Sequence, residues 1–250
     1  MSKTLAIILN FNDPVRTDEI FKALKPYEGE DYDLHLLDNG SNKAPASTNT
    51  TLTMKQNLFY GGALNYAFKY FIKHKSKYDS MIFITNDVIV HGPSFVKTMR
   101  EAMFSNPEYK LISPVMCSDN NGQMPLTMHK HMNCWGKREI RPVKYVDFET
   151  PMFHKDFILV VKSYSDDLIY GIGQDMLSGM ICKDKGWKVG VIDWCNVYHG
   201  WAIACKTGKS SLDLNTYGNV STEAMHAHFQ KINRIDELHS FLEYGGKYNA

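Results

Sequence analysis

The chain has 250 residues, 44% of them apolar, enough to bury a substantial core as one domain. Its 28 Lys and Arg nearly balance 27 Asp and Glu with no like-charge block, so composition carries neither a nucleic-acid footprint nor an acidic tail, although a local basic groove for a polymer stays open. No stretch reaches the roughly 18 to 20 apolar residues that span a bilayer, the first apolar run is too short for a secretory leader, and five scattered cysteines without a CxxC pair form neither a disulfide framework nor a zinc knuckle. These features together predict a soluble, unprocessed, cytoplasmic protein.

Residues 5–9 are unbroken apolar, as in a strand buried on both faces of a parallel sheet. Asp13-Pro14 reads as an N-cap followed by proline at the first helical position, with Thr17, Ile20, Phe21 and Leu24 on one face. A second strand, 33–37, runs into the turn formers Asp38-Asn39-Gly40-Ser41-Asn42. A short strand at 52–54 leads through Asn57 and Gly61-Gly62 into a helix with Leu64, Ala67, Phe68, Phe71 and Ile72 on one stripe. Residues 81–84 predict a fourth strand ended by Thr85-Asn86-Asp87. Gly92-Pro93-Ser94 opens another helix, and 111–115 is a further strand. This βαβαβαβ order predicts an open α/β sheet with helices on both faces.

The second half is less regular. Residues 117–143 read as loop and short hairpin, with His129 and His131 on an exposed loop, and 144–148 reads as a strand. Gly171-Ile172-Gly173-Gln174-Asp175 precedes a helix running to Lys185 and stopped by Gly186. Residues 187–194 predict a strand leading to His199. The small polar residues of 202–220 predict a mobile loop, and Ser221 reads as the cap of a final helix that turns Met225, Phe229 and Ile232 inward. Trp135, Trp194 and Trp201 suit either core packing or stacking on a sugar or base.

Ligands of open α/β sheets bind beyond the carboxyl ends of the strands. Three polar clusters fall at such ends: Asn10-Phe11-Asn12, Asp38-Asn39-Gly40-Ser41 and Asn86-Asp87. Each alone is a weak signal, and an Asp-Asn-Gly-Ser run is more often a plain turn, but their recurrence after successive strands is the stronger signal. Asn57, Gly61, Gly62 and Asn65 lie at the mouth of a helix, where glycine admits a close ligand and the N-terminus attracts oxyanions, or where they serve helix entry alone.

Five segments in order resemble the family 2 inverting glycosyltransferases: the opening strand LNFN, LLDNGSN (36–42), NLFYGGALNYAF (57–68), FITNDVIV (83–90) and YGIGQDM (170–176). The resemblance spans about residues 4 to 200. It implies a GT-A α/β fold, Rossmann-like, with a mostly parallel sheet flanked by helices and an antiparallel acceptor-side portion. Residues 1–115 would bind the nucleotide sugar and 116–200 the acceptor, with a flexible loop and C-terminal helix in 201–250. It further implies a UDP-linked donor contacted by Asn10, Asn12, Asp38, Asn57, Gly61, Gly62, Asn65 and Asn86. Mn²⁺ or Mg²⁺ would be held by Asp87 and His199, and Asp175 would be the catalytic base. The sequence departs from the pattern at Thr85, where a DXD motif has its first acid, and at Gln174, where Glu is frequent. A glycan is the favoured acceptor. A phage-type transferase acting on hydroxymethylated DNA bases, a nucleotidyltransferase and a non-catalytic sugar-nucleotide binder are the alternatives.

Overall fold

The computed structural model describes residues 2–29, 31–90, 94–117, 130–199 and 207–245. Among them nine strands form one sheet, ordered β3-β2-β1-β4-β8-β6-β9-β5, with β7 also on β9. The first half follows the sequence reading: β1 (Lys3–Asn10), α1 (Pro14–Leu24), β2 (Tyr32–Asp38), β3 (Leu52–Thr53), α2 (Phe59–Lys73), β4 (Tyr78–Ile84), β5 (Val88–Val90), α3 (Phe95–Ser105) and β6 (Tyr109–Cys117). The Asp13 side chain accepts from the Arg16 amide and Pro14 opens α1, so the cap and the first-turn proline act as expected.

β1 is parallel to β2 on one side and β4 on the other, with Asn10 opposite Asp38 and Ile8 opposite Ile84. This register brings three strands to a common carboxyl edge. The apolar runs of β1 and β4 are buried on both faces, whereas β2 alternates, with Asp33 and His35 only partly buried. Phe68 on α2 meets Phe153 edge to face, with ring centroids 5.1 Å apart. Each such wholly buried ring stabilises the fold by roughly 1.5–3 kcal/mol.

The second half corrects several expectations. Residues 144–148 are not a strand; after the exposed Lys144, residues 145–148 are buried, and the strands lie to either side, β7 (Ile140–Val143) and β8 (Met152–His154). β8 is antiparallel to both β4 and β6 and sits between them. Its three residues are too few to display a period, and the helix α4 (Lys155–Val161) follows at once. α5 (Gln174–Asp184) matches its expectation, with Gly186 at φ +67° beyond its end. β9 (Lys188–His199) is longer than expected and includes His199 itself. It is parallel to β6 and carries β5 and β7 antiparallel on its other edge.

The loop expected over 202–220 is helical from Leu214, because α6 (Leu214–Lys231) begins there with Asp213 accepting from the Thr216 amide. Ser221 is therefore not a cap; it is buried mid-helix and donates to the Tyr217 carbonyl at 2.5 Å. Low intrinsic propensity in LNTYGNVST is overridden by packing, since Tyr217 donates to the Tyr170 carbonyl and Met225 and Phe229 pack on Met176 and Met180. Ile232, expected inward, is exposed. Asn233, at φ +57°, separates α6 from α7 (Ile235–Gly245), a second C-terminal helix that the sequence reading lacked.

His131 is not on an exposed loop. It is buried in a 3-10 turn, its ring 4.4 Å from that of Tyr145. Trp135 and Trp194 are exposed rather than core. Gly92, Pro93, His129, Trp201 and residues 202–206 lie outside the described residues.

Candidate functional site

The polar clusters at the ends of β1 and β2 are joined to each other. Asn10 donates from Nδ2 to Asp38 Oδ1 at 2.7 Å, and its Oδ1 accepts from the Thr17 hydroxyl at 2.8 Å. Ser41 donates through its hydroxyl to Asp38 Oδ1 and through its amide to Asp38 Oδ2. Asn12, at φ +56°, accepts the Asn42 and Lys43 amides on Oδ1 and donates from Nδ2 to the Lys209 carbonyl at 2.9 Å. Asn10, Asn12 and Asp38 are thus buried and spend most of their hydrogen bonds on shaping the two loops.

Lys43 Nζ donates to the carbonyls of Gly208 and Ser210, Lys209 pairs with Asp13 at 2.7 Å, and Asn57 donates to Ser211 Oγ. Residues 208–211 therefore lie across the ends of β1 and β2. Asn39, unassigned by sequence reasoning, ties this edge to α2: it donates to Asn57 Oδ1 and the Phe59 carbonyl and accepts the Leu58 amide.

Beyond β4, Asn86 reaches Thr17 Oγ1 at 3.5 Å, which links the third cluster to the first. The antiparallel register of β5 with β9 places Val88 opposite His199. Asp87 thereby meets the imidazole, with Oδ2 3.2 Å from Nε2, while its Oδ1 accepts from the Thr85 hydroxyl at 2.7 Å. Glu149, which sequence reasoning missed, stands 3.9 Å from the same Nε2. It follows the stretch expected as a strand, so the strand-end rule applied to the other clusters was the signal available for it.

Burial alone would lower the pKa of His199, but the carboxylates of Glu149 and Asp87 outweigh it and raise it to about 9. Burial would raise that of Asp87, and the His199 contact brings it below the usual carboxylate range. The pair is therefore an ion pair at neutral pH. Among the described residues no three His, Cys, Asp or Glu side chains form a ready-made metal cage. A carboxylate and an imidazole at 3.2 Å nevertheless suit a divalent ion, which would displace the imidazole proton and take its remaining ligands from phosphate and water.

Asp175 is buried in the first turn of α5, and Oδ1 accepts the amides of Gly173 and Met176. Gly171 (φ +101°) and Gly173 (φ +92°) form the bend that delivers it. The first turn of α2 braces this bend. The Gly61 amide donates to the Ile169 carbonyl at 2.8 Å, and a Cβ on Gly61 would stand 2.4 Å from the Leu168 carbonyl oxygen. Tyr60 packs on Gly171 and donates to the Phe148 carbonyl, next to Glu149. Asn65 brackets the Tyr164 backbone through both amide and carbonyl, and Gly62 lies against Leu58. Gly61, Gly62 and Asn65 thus serve helix docking in this structure.

No protein-family model and no curated protein matches the sequence. Solved structures do. S. aureus TarS (residues 1–349) superposes at a TM-score of 0.53 with 13% identity, over 91% of this chain and 72% of that one. Glucosyl-3-phosphoglycerate synthase of Mycobacterium tuberculosis, solved with Mn²⁺, UDP and glucosyl-3-phosphoglycerate, gives 0.57 at 13% identity over 92% and 79%. GalNAc-T7, solved with UDP, GalNAc and Mn²⁺, gives 0.57 at 14% identity over 96% of this chain and 54% of its own. The fold is GT-A. In this GT-A sheet the carboxyl edge of β2-β1-β4 carries Asp38, Asn10 and, just past β4, Asn86-Asp87.

Proposed function

We propose that the protein is a metal-dependent inverting glycosyltransferase that moves a sugar from a UDP-linked donor to an acceptor hydroxyl on a glycan. The observation that carries this reading is the Asp87–His199 pair, 3.2 Å apart beyond the carboxyl end of β4 and in line with the Asp38 loop. It rests further on the GT-A fold, shared with proteins solved with UDP and Mn²⁺. The edge of β1 and β2 holds the nucleotide, with the Asp38 loop beside the base. Asp87 and His199 would hold the cation, and a nitrogen ligand would favour Mn²⁺ over Mg²⁺. When bound, that cation neutralises the charge that collects on the leaving diphosphate. Asp175, fixed by two amides, takes the proton of the attacking hydroxyl on the side opposite the leaving group.

Incubation with a panel of UDP-sugars and Mn²⁺ tests the proposal through slow donor hydrolysis. UDP release by the wild type, lost in Asp87→Ala, is the expected result. Absence of UDP release from every donor would refute it. Pyrophosphate release from a nucleoside triphosphate would instead favour the nucleotidyltransferase reading. A DNA acceptor draws no support from the neighbours, one of which holds a glycosylated phosphoglycerate.

A further inference from the structure

We infer that Glu149 supplies the second carboxylate of the metal site, in place of the acid that the Thr85-Asn86-Asp87 turn lacks. The inference rests on the metal-dependent reading above. Thr85 occupies the position where two-carboxylate metal motifs begin, and its hydroxyl is committed to Asp87 Oδ1. It brings no charge.

The backbone places a charge beside that position from another part of the chain. The β4–β8 pairing sets Ile82 opposite Met152, and the same antiparallel ladder continues outward. The Phe83 amide donates to the Pro151 carbonyl at 3.1 Å, and the Thr85 amide donates to the Glu149 carbonyl at 2.9 Å. Glu149 is therefore the ladder neighbour of Thr85. Its Oε1 lies 3.9 Å from His199 Nε2, the atom that Asp87 Oδ2 approaches to 3.2 Å.

Donors about 2.1 Å from an octahedral ion lie roughly 3.0 Å apart when adjacent and 4.2 Å apart when opposite. The Asp87–His199 separation fits adjacent ligands. Glu149, 3.9 Å from the same imidazole nitrogen, would be the next ligand to that ion. The three side chains would close into a set on binding the cation, since no preformed cage exists among the described residues. β8, antiparallel and wedged between β4 and β6, is what carries this residue to the metal edge.

The test is Mn²⁺ binding in the presence of UDP, followed by electron paramagnetic resonance of the free ion, for the wild type and four variants. Asp87→Ala should abolish binding. Glu149→Gln should weaken it by about 10- to 100-fold, with the metal-free circular dichroism spectrum of a folded chain. Glu149→Asp, which keeps the charge, and Thr85→Asp/Glu149→Gln, which restores it at the turn, should both recover binding. Wild-type affinity in Glu149→Gln, or a loss that neither charge-restoring variant recovers, overturns the assignment while Asp87 and His199 stand. If the wild type itself binds no Mn²⁺, the metal-dependent reading fails as well.

Discussion

Asp175 is buried and Asp87 half-buried, both near helix or strand termini, and their surroundings differ. Asp175 is oriented by two backbone amides, whereas Asp87 is held against a protonated imidazole. Asp175→Asn should therefore reduce transfer by at least about 10²-fold with donor affinity nearly intact, because the amide keeps the size but takes no proton. Asp87→Asn should weaken donor and Mn²⁺ binding together. Single-turnover rates and calorimetry separate the two, and a donor-binding loss in Asp175→Asn equal to that of Asp87→Asn would reject the assignment of the base. Gly61 invites a different test. The sequence offers a glycine-rich helix mouth as a ligand contact, but here the missing side chain makes room for the Leu168 carbonyl. Gly61→Ala should cost about 1–3 kcal/mol in urea unfolding through overpacking. Sequence reading could not distinguish these uses, because a close approach by a phosphate and one by a neighbouring loop demand the same residue.

Elements far from the site carry their own signature. At the amino ends of β1, β2 and β4, Asp33 is met by Lys3 at 3.0 Å, Lys77 at 2.5 Å and the Tyr78 hydroxyl at 2.9 Å. Partial burial would raise its pKa, but these partners outweigh burial and lower it to about 2. An unfolded Asp titrates near about 3.9. The stabilisation is therefore fully present above about pH 4 and is lost as pH falls through about 2. Asp33→Asn should lower the urea midpoint at pH 6, and the gap from wild type should narrow toward pH 2; a gap independent of pH would exclude the carboxylate as its source. On the opposite edge, Lys43 and Asn12 fasten residues 208–210 over β1 and β2. Lys43→Ala should increase trypsin cleavage at Lys209, and saturating UDP with Mn²⁺ should slow it. The alternation of strands and helices in the first half was readable because each element is long enough to show its period. The three-residue β8 and the Gly- and Ser-bearing start of α6 were not, since tertiary contacts decide both.

Taken whole, the molecule presents the residues proposed to bind the donor along one edge of a continuous sheet, so nucleotide and cation should stabilise it jointly. UDP with Mn²⁺ at about 100 times Kd should add about 2.7 kcal/mol, visible as a rise in melting temperature that EDTA removes. A rise with UDP that persists in EDTA would take the cation out of donor binding. That the strand-end clusters converge was legible from order alone, because parallel neighbours align their carboxyl ends. The meeting of Asp87 with His199 and Glu149 was not, since it depends on which distant strands pair. The central position of β8 also bears on how the chain is made. β4 and β6 leave the ribosome well before the strand that must sit between them, and residues 152–154 follow the end of β4 by about 70 positions. At about 5–20 residues per second, the flank of β4 bearing Met81, Ile82 and Phe83 waits roughly 4 to 14 s for its partner. During that interval the nascent chain offers an open apolar strand edge, the kind of surface through which partly folded chains aggregate.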